Sequence, residues 1–408
     1  MNESEHYDVV VVGGGSGGIA VAASLLKRER GLRLAIVDPA DTHFYQPGWT
    51  MVGSGIFDPA STGRPLSSVI PKNAAWIKKA VAGFDPLNNC VELDDGSLVG
   101  YDRMVVAPGL KLNWDAVEGL KDTLGMNGVT SNYQYKTAPY TWELVQNLKK
   151  GKALFTQPPM PIKCAGAPQK AMYLSADYWY RQGVINNIDI QFNTATPGLF
   201  GVAEYVPALM EYVKKYDATL NFQNNLVKID GEKKVATFKN SDGVTEDTDF
   251  DMIHVCPPQC APDFIRQSPL VDDAGWIDVD QNTLQHKRYA NIWALGDGMN
   301  APNAKTAAAA RAQAPVVAIN LLHNAGKLPT SCHYDGYGSC PLTVERGKIV
   351  LAEFGYGGAL KPSFPKFILD GEQPTRLAWI LKANMLPWIY WEAMLKGREW
   401  MTNPIHQV

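Results

Sequence analysis

The segment from Tyr7 to Asp38 constrains the fold more than any other part of this chain. Tyr7-Asp8-Val9-Val10-Val11-Val12 is a short apolar run without polar alternation, the pattern of a strand covered on both faces in a parallel sheet. It enters Gly13-Gly14-Gly15-Ser16-Gly17-Gly18, which satisfies G-x-G-x-x-G, and a helix from Ile19 to Leu26 follows. A second strand, Arg33 to Val37, closes at Asp38, 20 residues beyond Gly18. The glycine pattern alone is a weak signal. Set between a strand and a helix, with an acid at that interval, it defines a dinucleotide-binding βαβ unit. The glycines let the backbone approach a pyrophosphate, the helix N-terminus stabilises its charge, and Asp38 accepts hydrogen bonds from a ribose.

Two later strands end in similar turns. Tyr101 to Gly109 runs into Pro108-Gly109, and Tyr289 to Gly298 runs into Gly296-Asp297. Asp297 is either an ordinary turn residue or a cofactor ligand. The alanine-rich run after Lys305-Thr306 is a strong helix former. Its N-terminus is either simply capped or turned toward a ring that becomes anionic on reduction, where positive charge and the helix dipole favour the reduced form.

The middle of the chain repeats the βαβ pattern with one substitution. Lys152 to Thr156 reads as a strand and Lys170 to Trp179 as a helix. The connection, Pro161-Ile162-Lys163-Cys164-Ala165-Gly166-Ala167-Pro168-Gln169-Lys170, carries a lone cysteine where a phosphate-binding glycine loop would stand. A helix N-terminus and the adjacent Lys163 both favour thiolate over thiol at Cys164. Position alone equally accommodates a buried structural cysteine. The next strand, Asp189 to Ala195, ends in no acid or arginine suited to an adenosine ribose. A second Rossmann-like fold is therefore expected, without a nicotinamide site.

Composition narrows the function classes. A chain of 408 residues holds two to three domains, and a formal net charge of −3 gives no reason to expect a nucleic-acid partner. Six cysteines, at 90, 164, 256, 260, 332 and 340, make no CxxC pair and no tetrahedral pattern, so no metal is expected. Cys256 and Cys260 read as loop cysteines after a strand, and Cys332 as incidental. Cys340 stands in a glycine-rich loop, His333 to Leu342, ahead of a strand from Lys348 to Phe354. With a strand beginning near Tyr7 no signal peptide is expected, and with no apolar run of sufficient length no transmembrane helix is expected either. Arg376 to Lys396 is expected to form two short helices divided at Pro387. Trp379, Trp388, Trp391 and Trp400 with basic flanks suit a membrane interface, while Lys382, Asn384 and Glu392 argue against a span. A docking or dimer helix pair is the alternative, which leaves a homo-oligomer open.

The three strand ends resemble those of two-dinucleotide-domain flavoproteins of the glutathione-reductase type. Thr42 to Pro47, Pro161 to Lys170, Lys305 to Ala309 and Tyr334 to Leu342 resemble the sulfide:quinone oxidoreductase family, in its mitochondrial, two-cysteine form. The resemblance implies an α/β fold of two Rossmann-like domains. It divides the chain into a first FAD segment (1–118), an inserted domain (119–282), a second FAD segment (283–329) and a C-terminal segment carrying a redox cysteine and membrane-associating helices (330–408).

The same resemblance implies FAD held by Gly13, Gly15, Ser16, Gly17, Gly18 and Asp38. It adds contacts from Gln46, Val81, Ala107 and Gly109, and then from Gly296, Asp297, Lys305, Thr306 and Ala307. It implies a redox pair of Cys164 and Cys340 acting on hydrogen sulfide, with the persulfide on Cys340 and Cys164 facing the flavin. A small acceptor (sulfite, sulfide, a thiol or glutathione) would remove the sulfane sulfur. Ubiquinone or another membrane quinone would take the electrons, with Phe354 and Tyr356 as stacking residues. The protein would then be monotopic, on a bacterial cytoplasmic membrane or the mitochondrial inner membrane. The rival readings are an NADH:quinone oxidoreductase of the same fold, a flavocytochrome-type sulfide dehydrogenase and a non-catalytic flavin-binding sulfur sensor.

Overall fold

The computed structural model describes residues 5–402 and 404–406. The valine run forms β1 (Glu5–Val12), followed by α1 (Ser16–Arg28) and β2 (Leu34–Val37). The helix starts three residues earlier than its apolar pattern suggests, because Ser16, Gly17 and Gly18 make its first turn. β3 (Ala74–Ile77), β4 (Val81–Asp85), β5 (Cys90–Leu93) and β6 (Leu98–Val106) follow. The chain then leaves for a second sheet. Its strands are β7 (Val129–Thr130), β8 (Gly151–Gln157), β9 (Ile188–Thr194), β10 (Thr219–Phe222) and β11 (Met252–His254), with α2 (Ala167–Arg181) after β8. It returns as β12 (Ile292–Ala294), leading to α3 (Ala307–Asn324).

The first sheet has the order β3-β2-β1-β6-β5-β4, and β12 lies parallel against the last three residues of β6. The split expected from the two distant strand ends is thus present in the pairing: Ile292, Trp293 and Ala294 align with Met104, Val105 and Val106. The second sheet, β7-β11-β8-β9-β10, is wholly parallel. In such a sheet the strand order reverses between β8 and β11, and ligands sit beyond the strand ends at that point.

The C-terminal part differs from the sequence reading in two places. Residues from Gly338 onward are not loop but β13 (Gly338–Glu345), which pairs antiparallel with β14 (Lys348–Phe354), Cys340 opposite Ala352. Both faces of β13 are covered, so its apolar residues are buried without alternation. Nor does Pro387 divide the terminal helix. α4 (Arg376–Ile380), a π-turn over Leu381–Met385 and α5 (Leu386–Glu392) form one continuous helical run. Pro387 falls at the start of α5, next to the π-turn, where a missing N–H costs little.

Two cores explain how these parts are joined. The first packs β1, β2, β6, α1 and α3 together, and it also takes in Tyr390, Trp391, Met394 and Leu395 from the terminal segment. The second packs β8, β9 and α2 against Cys340, Leu342, Val344, Val350 and Ala352 of the β13–β14 hairpin. The hairpin thus packs on the second sheet, and the terminal segment is shared: Ala378 and Leu381 pack on Ile349 and Leu351 of the hairpin, while Tyr390 to Leu395 join the first core.

Candidate active site

The glycine loop is built for close approach. Gly13 has φ +103°, and a Cβ there would run into the Ala107 carbonyl. A Cβ on Gly18 would strike the Gly13 carbonyl, whereas Gly15 faces open space. Asp38 accepts from Gly14 N at 2.6 Å and from Ala40 N at 2.8 Å. A long cavity starts at Gly15, Ser16 and Gly17 and runs past Ala107, Gly109, Gly296, Asp297, Thr306 and Ala307 to Gln46, Lys163 and Cys164. Gly13, Gly18, Asp38 and Val81 stand outside its wall. Val81 is buried at the start of β4, paired with Leu93.

The cavity suits FAD on two further counts. Trp49 Nε1 and both amide atoms of Asn132 are buried in its wall without a protein partner, which a flavin ring edge can supply. Thr306 caps α3 by accepting from Ala309 N at 3.2 Å, so the helix presents its remaining free N–H groups toward the cavity. The Lys305 ammonium, expected to add charge there, is used otherwise. It donates to the carbonyls of Asp297 (2.8 Å) and Met299 (2.7 Å) and lies 4.3 Å from the Trp276 ring centroid, and burial pulls its pKa down to about 8. It fixes the Asp297 turn, whose carboxyl burial pushes upward.

The two cysteines are 176 residues apart in sequence and face each other, Sγ to Sγ 3.4 Å. Cys164 is half-buried in the cavity wall, while Cys340 is buried behind it. Their approach requires Gly166, where a Cβ would stand 2.5 Å from Cys340 Sγ and would also collide with Leu342. Cys164 itself holds a left-handed backbone, φ +47°, a strained conformation kept by the bonds around it. Cys164 N donates to the Lys305 carbonyl at 2.8 Å, and its own carbonyl accepts from Ala167 N at 2.7 Å and Tyr133 Oη at 3.4 Å.

The sequence placed Cys164 at a helix terminus beside a helpful Lys163, and the structure corrects both points. α2 begins at Ala167 with Gly166 as its cap, so Cys164 precedes the first turn. Lys163 reaches away, donating to Gln46 Oε1 at 2.6 Å and lying 5.6 Å from the Trp49 ring centroid. The cation on the thiol is Lys170, whose Nζ donates to Cys164 Sγ at 3.2 Å. The hydrogen bond from Cys340 and then the Lys170 charge hold the Cys164 thiol well below its ordinary pKa, and the same bond with burial pushes Cys340 well above. Between the two sulfurs, negative charge is therefore favoured on Cys164 and the proton on Cys340.

Lys382, on the π-turn of the terminal helix, is a second buried cation at this cavity. It donates to the Pro47 carbonyl at 3.0 Å, and desolvation together with the nearby Lys170 charge lowers its pKa to about 7. Sequence reading used Lys382 only as an argument against a membrane span. Its inward turn depends on the π-turn, which no local pattern announces.

The two residues expected to stack on a quinone do not reach the cavity. The Phe354 ring packs against Phe200 at 5.9 Å, and the Tyr356 hydroxyl donates to the Gln281 carbonyl at 2.5 Å. The cavity wall on the side of the terminal helix is instead Leu351, Glu353, Phe364, Leu381, Leu386 and Ile389. Glu353 is buried and accepts from Tyr337 Oη at 2.6 Å and from Ser363 Oγ and N at 2.5 and 3.0 Å.

A split dinucleotide sheet closed around a second one, with a pair of facing thiols of which one lies in the wall of the cofactor cavity, defines an FAD-dependent disulfide-type oxidoreductase. Residues 7–159 match the pyridine nucleotide-disulphide oxidoreductase family model. The chain is 40% identical to the mitochondrial sulfide:quinone oxidoreductase of Mus musculus over 394 residues, 96% of this chain and 87% of that protein. It is 42% identical to the mitochondrial sulfide:quinone oxidoreductase of Dictyostelium discoideum over 400 residues, 97% and 88% of the two chains. Its fold is similar to that of the sulfide:quinone oxidoreductase of the bacterium Aquifex aeolicus, with a TM-score of 0.81 and 18% identity over 98% and 97% of the chains. The protein belongs to the sulfide:quinone oxidoreductase family.

Proposed function

We propose that this protein oxidises hydrogen sulfide to sulfane sulfur at Cys164 and Cys340 and passes the electrons through FAD to a membrane quinone. The observation that carries the reading is the thiol pair itself: 3.4 Å apart, at the cofactor cavity, with Lys170 on one sulfur only. Bound FAD supplies a two-electron acceptor. Hydrosulfide attacks Cys340 of the oxidised pair; the bond between the cysteines breaks, a new sulfur–sulfur bond makes Cys340 a persulfide, and Cys164 leaves as thiolate. Lys170 stabilises that leaving thiolate. The acceptor then removes the outer sulfur, and the Cys340 and Cys164 thiolates re-form their bond by giving up two electrons, which bound FAD would accept. An extra bridging sulfur also fits the gap, since two sulfur–sulfur bonds of about 2.05 Å at a bent angle span roughly 3.3 Å.

The segment 1–118 with 283–329 is proposed as the FAD module, 119–282 as the inserted module, and 330–408 as the part that supplies Cys340 and meets the membrane. A quinone head suits the wall of Leu351, Phe364, Leu381, Leu386 and Ile389, with Glu353 and Lys382 as its polar groups. Anaerobic titration with sulfide, followed by a short-chain quinone, tests the whole reading. Sulfide is expected to bleach the flavin, NADH to leave it coloured and quinone to restore it. Bleaching by NADH with indifference to sulfide would overturn the proposal in favour of an NADH:quinone oxidoreductase.

Among the described residues no helix is long and apolar enough to cross a membrane. Leu377, Ile380, Met385, Trp388, Trp400 and Met401 are nonetheless exposed on the terminal segment, and Trp388 and Trp400 pack together at 5.3 Å with 48% of each open to solvent. Such a cluster suits insertion into a lipid interface. Replacing both tryptophans by serine is expected to move the protein from pellet to supernatant when it is sedimented with phospholipid vesicles, with flavin content unchanged. Equal partitioning of variant and parent would contradict the membrane reading.

A further inference from the structure

On α5, Trp388, which faces outward, stands two positions before Tyr390, which is buried against the glycine loop. The Tyr390 hydroxyl lies 2.6 Å from Ser16 Oγ and 2.6 Å from His43 Nε2. His43 Nδ1 is 2.9 Å from the Gly14 carbonyl. The chain of bonds thus begins and ends on the dinucleotide loop and passes through a residue of the terminal helix.

The direction of each bond follows from what each atom can do. The Gly14 carbonyl only accepts, so His43 carries a proton on Nδ1. His43 is buried, which keeps the ring neutral by lowering its pKa, so Nε2 is a bare acceptor. Tyr390 therefore donates to His43, and its oxygen accepts from Ser16. The Ser16 hydroxyl proton is committed to Tyr390, and its oxygen lone pairs and rotamer are fixed at the mouth of the loop. The glycine loop then offers its backbone N–H groups to an anion with Ser16 locked aside.

We infer that Tyr390 is a positioning residue for the FAD pyrophosphate, acting through Ser16 and His43, so that seating of the terminal helix sets how tightly the cofactor is held. Four further ties hold the same segment to the two cofactor-facing helices. Glu399 pairs with Arg28 and accepts from Ser24 on α1, Lys27 donates to the Gly397 carbonyl, and Arg311 of α3 donates to the Trp400 carbonyl at 2.8 Å. The inference rests on FAD occupying the glycine loop and not on the identity of the substrate, so it stands or falls separately from sulfide oxidation.

The test is the rate of FAD release from the holoenzyme on dilution, read by the rise in free-flavin fluorescence, for Tyr390→Phe, Ser16→Ala and the double variant. Tyr390→Phe is expected to release FAD about tenfold faster, with a changed visible circular dichroism of the bound flavin. If Tyr390 acts through Ser16, the double variant releases FAD no faster than the faster single one. Release at the parent rate in Tyr390→Phe overturns the inference. Multiplying effects in the double variant overturn it too, because they assign Tyr390 to packing alone. If Tyr390→Phe does not fold, Ser16→Ala decides: it breaks the same bond from the loop side, and parent-like release then sinks the inference.

Discussion

Cys164→Ser and Cys340→Ser are each expected to lower the rate of sulfide-dependent flavin reduction by on the order of 10³-fold or more, because each removes a partner of the sulfur–sulfur bond that hydrosulfide attacks. Stopped-flow absorbance under anaerobic conditions reads this directly. The two variants should differ in what remains. Cys340→Ser leaves Cys164 in the cavity wall with Lys170 beside it, whereas Cys164→Ser leaves Cys340 buried, with no cation bonded to it and burial opposing its thiolate. A slow thiol-specific alkylating agent should therefore label Cys340→Ser faster than Cys164→Ser. Retention of a tenth of the parent rate by either variant would mean that the facing pair is not the redox centre.

Lys170→Met should have the next largest effect, about 10²-fold in sulfide-dependent flavin reduction at neutral pH, the scale typical of removing one preorganised charge from a developing anion. The sign with pH follows from the cause. Lys170 helps hold the Cys164 pKa below its ordinary value, so the thiolate forms at lower pH than a free cysteine would allow. Without the ammonium, burial is less opposed and the titration moves up. The variant's rate should then climb with pH in the range where the parent's is already flat. A uniform loss at every pH would show that Lys170 acts by shape alone. Lys170→Arg should recover part of the rate, since the charge returns at a different reach.

What the sequence made legible is what is encoded locally. The strand, glycine loop, helix and acid between Tyr7 and Asp38 lie within one short stretch, and each has a geometric reason to be where it is. Cys164 stood out because a cysteine occupied the place of a glycine loop. Its partnership with Cys340 is a tertiary fact, made possible by the hairpin packing onto α2 over a glycine. Lys163 was the natural choice for the activating cation by adjacency. Lys170 has that role because it lies one turn into α2, and helical side chains lean back toward the N-terminus. Glu353, Tyr390 and Lys382 were invisible for a similar reason: each is ordinary in its own segment and acquires meaning only where segments distant in sequence meet around the cavity. Phe354 and Tyr356, the stacking residues that the family resemblance implies, stay outside the cavity because the Phe354 ring is spent on packing and the Tyr356 hydroxyl on a backbone bond.

The terminal segment has a consequence for how this protein can be handled and how its relatives can diverge. Its inner side, Tyr390, Trp391, Met394 and Leu395, is part of the same core as β1 and α1. Burial of side chains of that size contributes roughly 1.5–3 kcal/mol each, a sum comparable to the whole net stability of a domain. Trimming the tail to obtain a soluble fragment would thus open the keystone of the first domain rather than cut a mooring line. The lipid attachment proposed above would in this architecture be lost by repainting the outer side of one helix, residue by residue, but not by deletion.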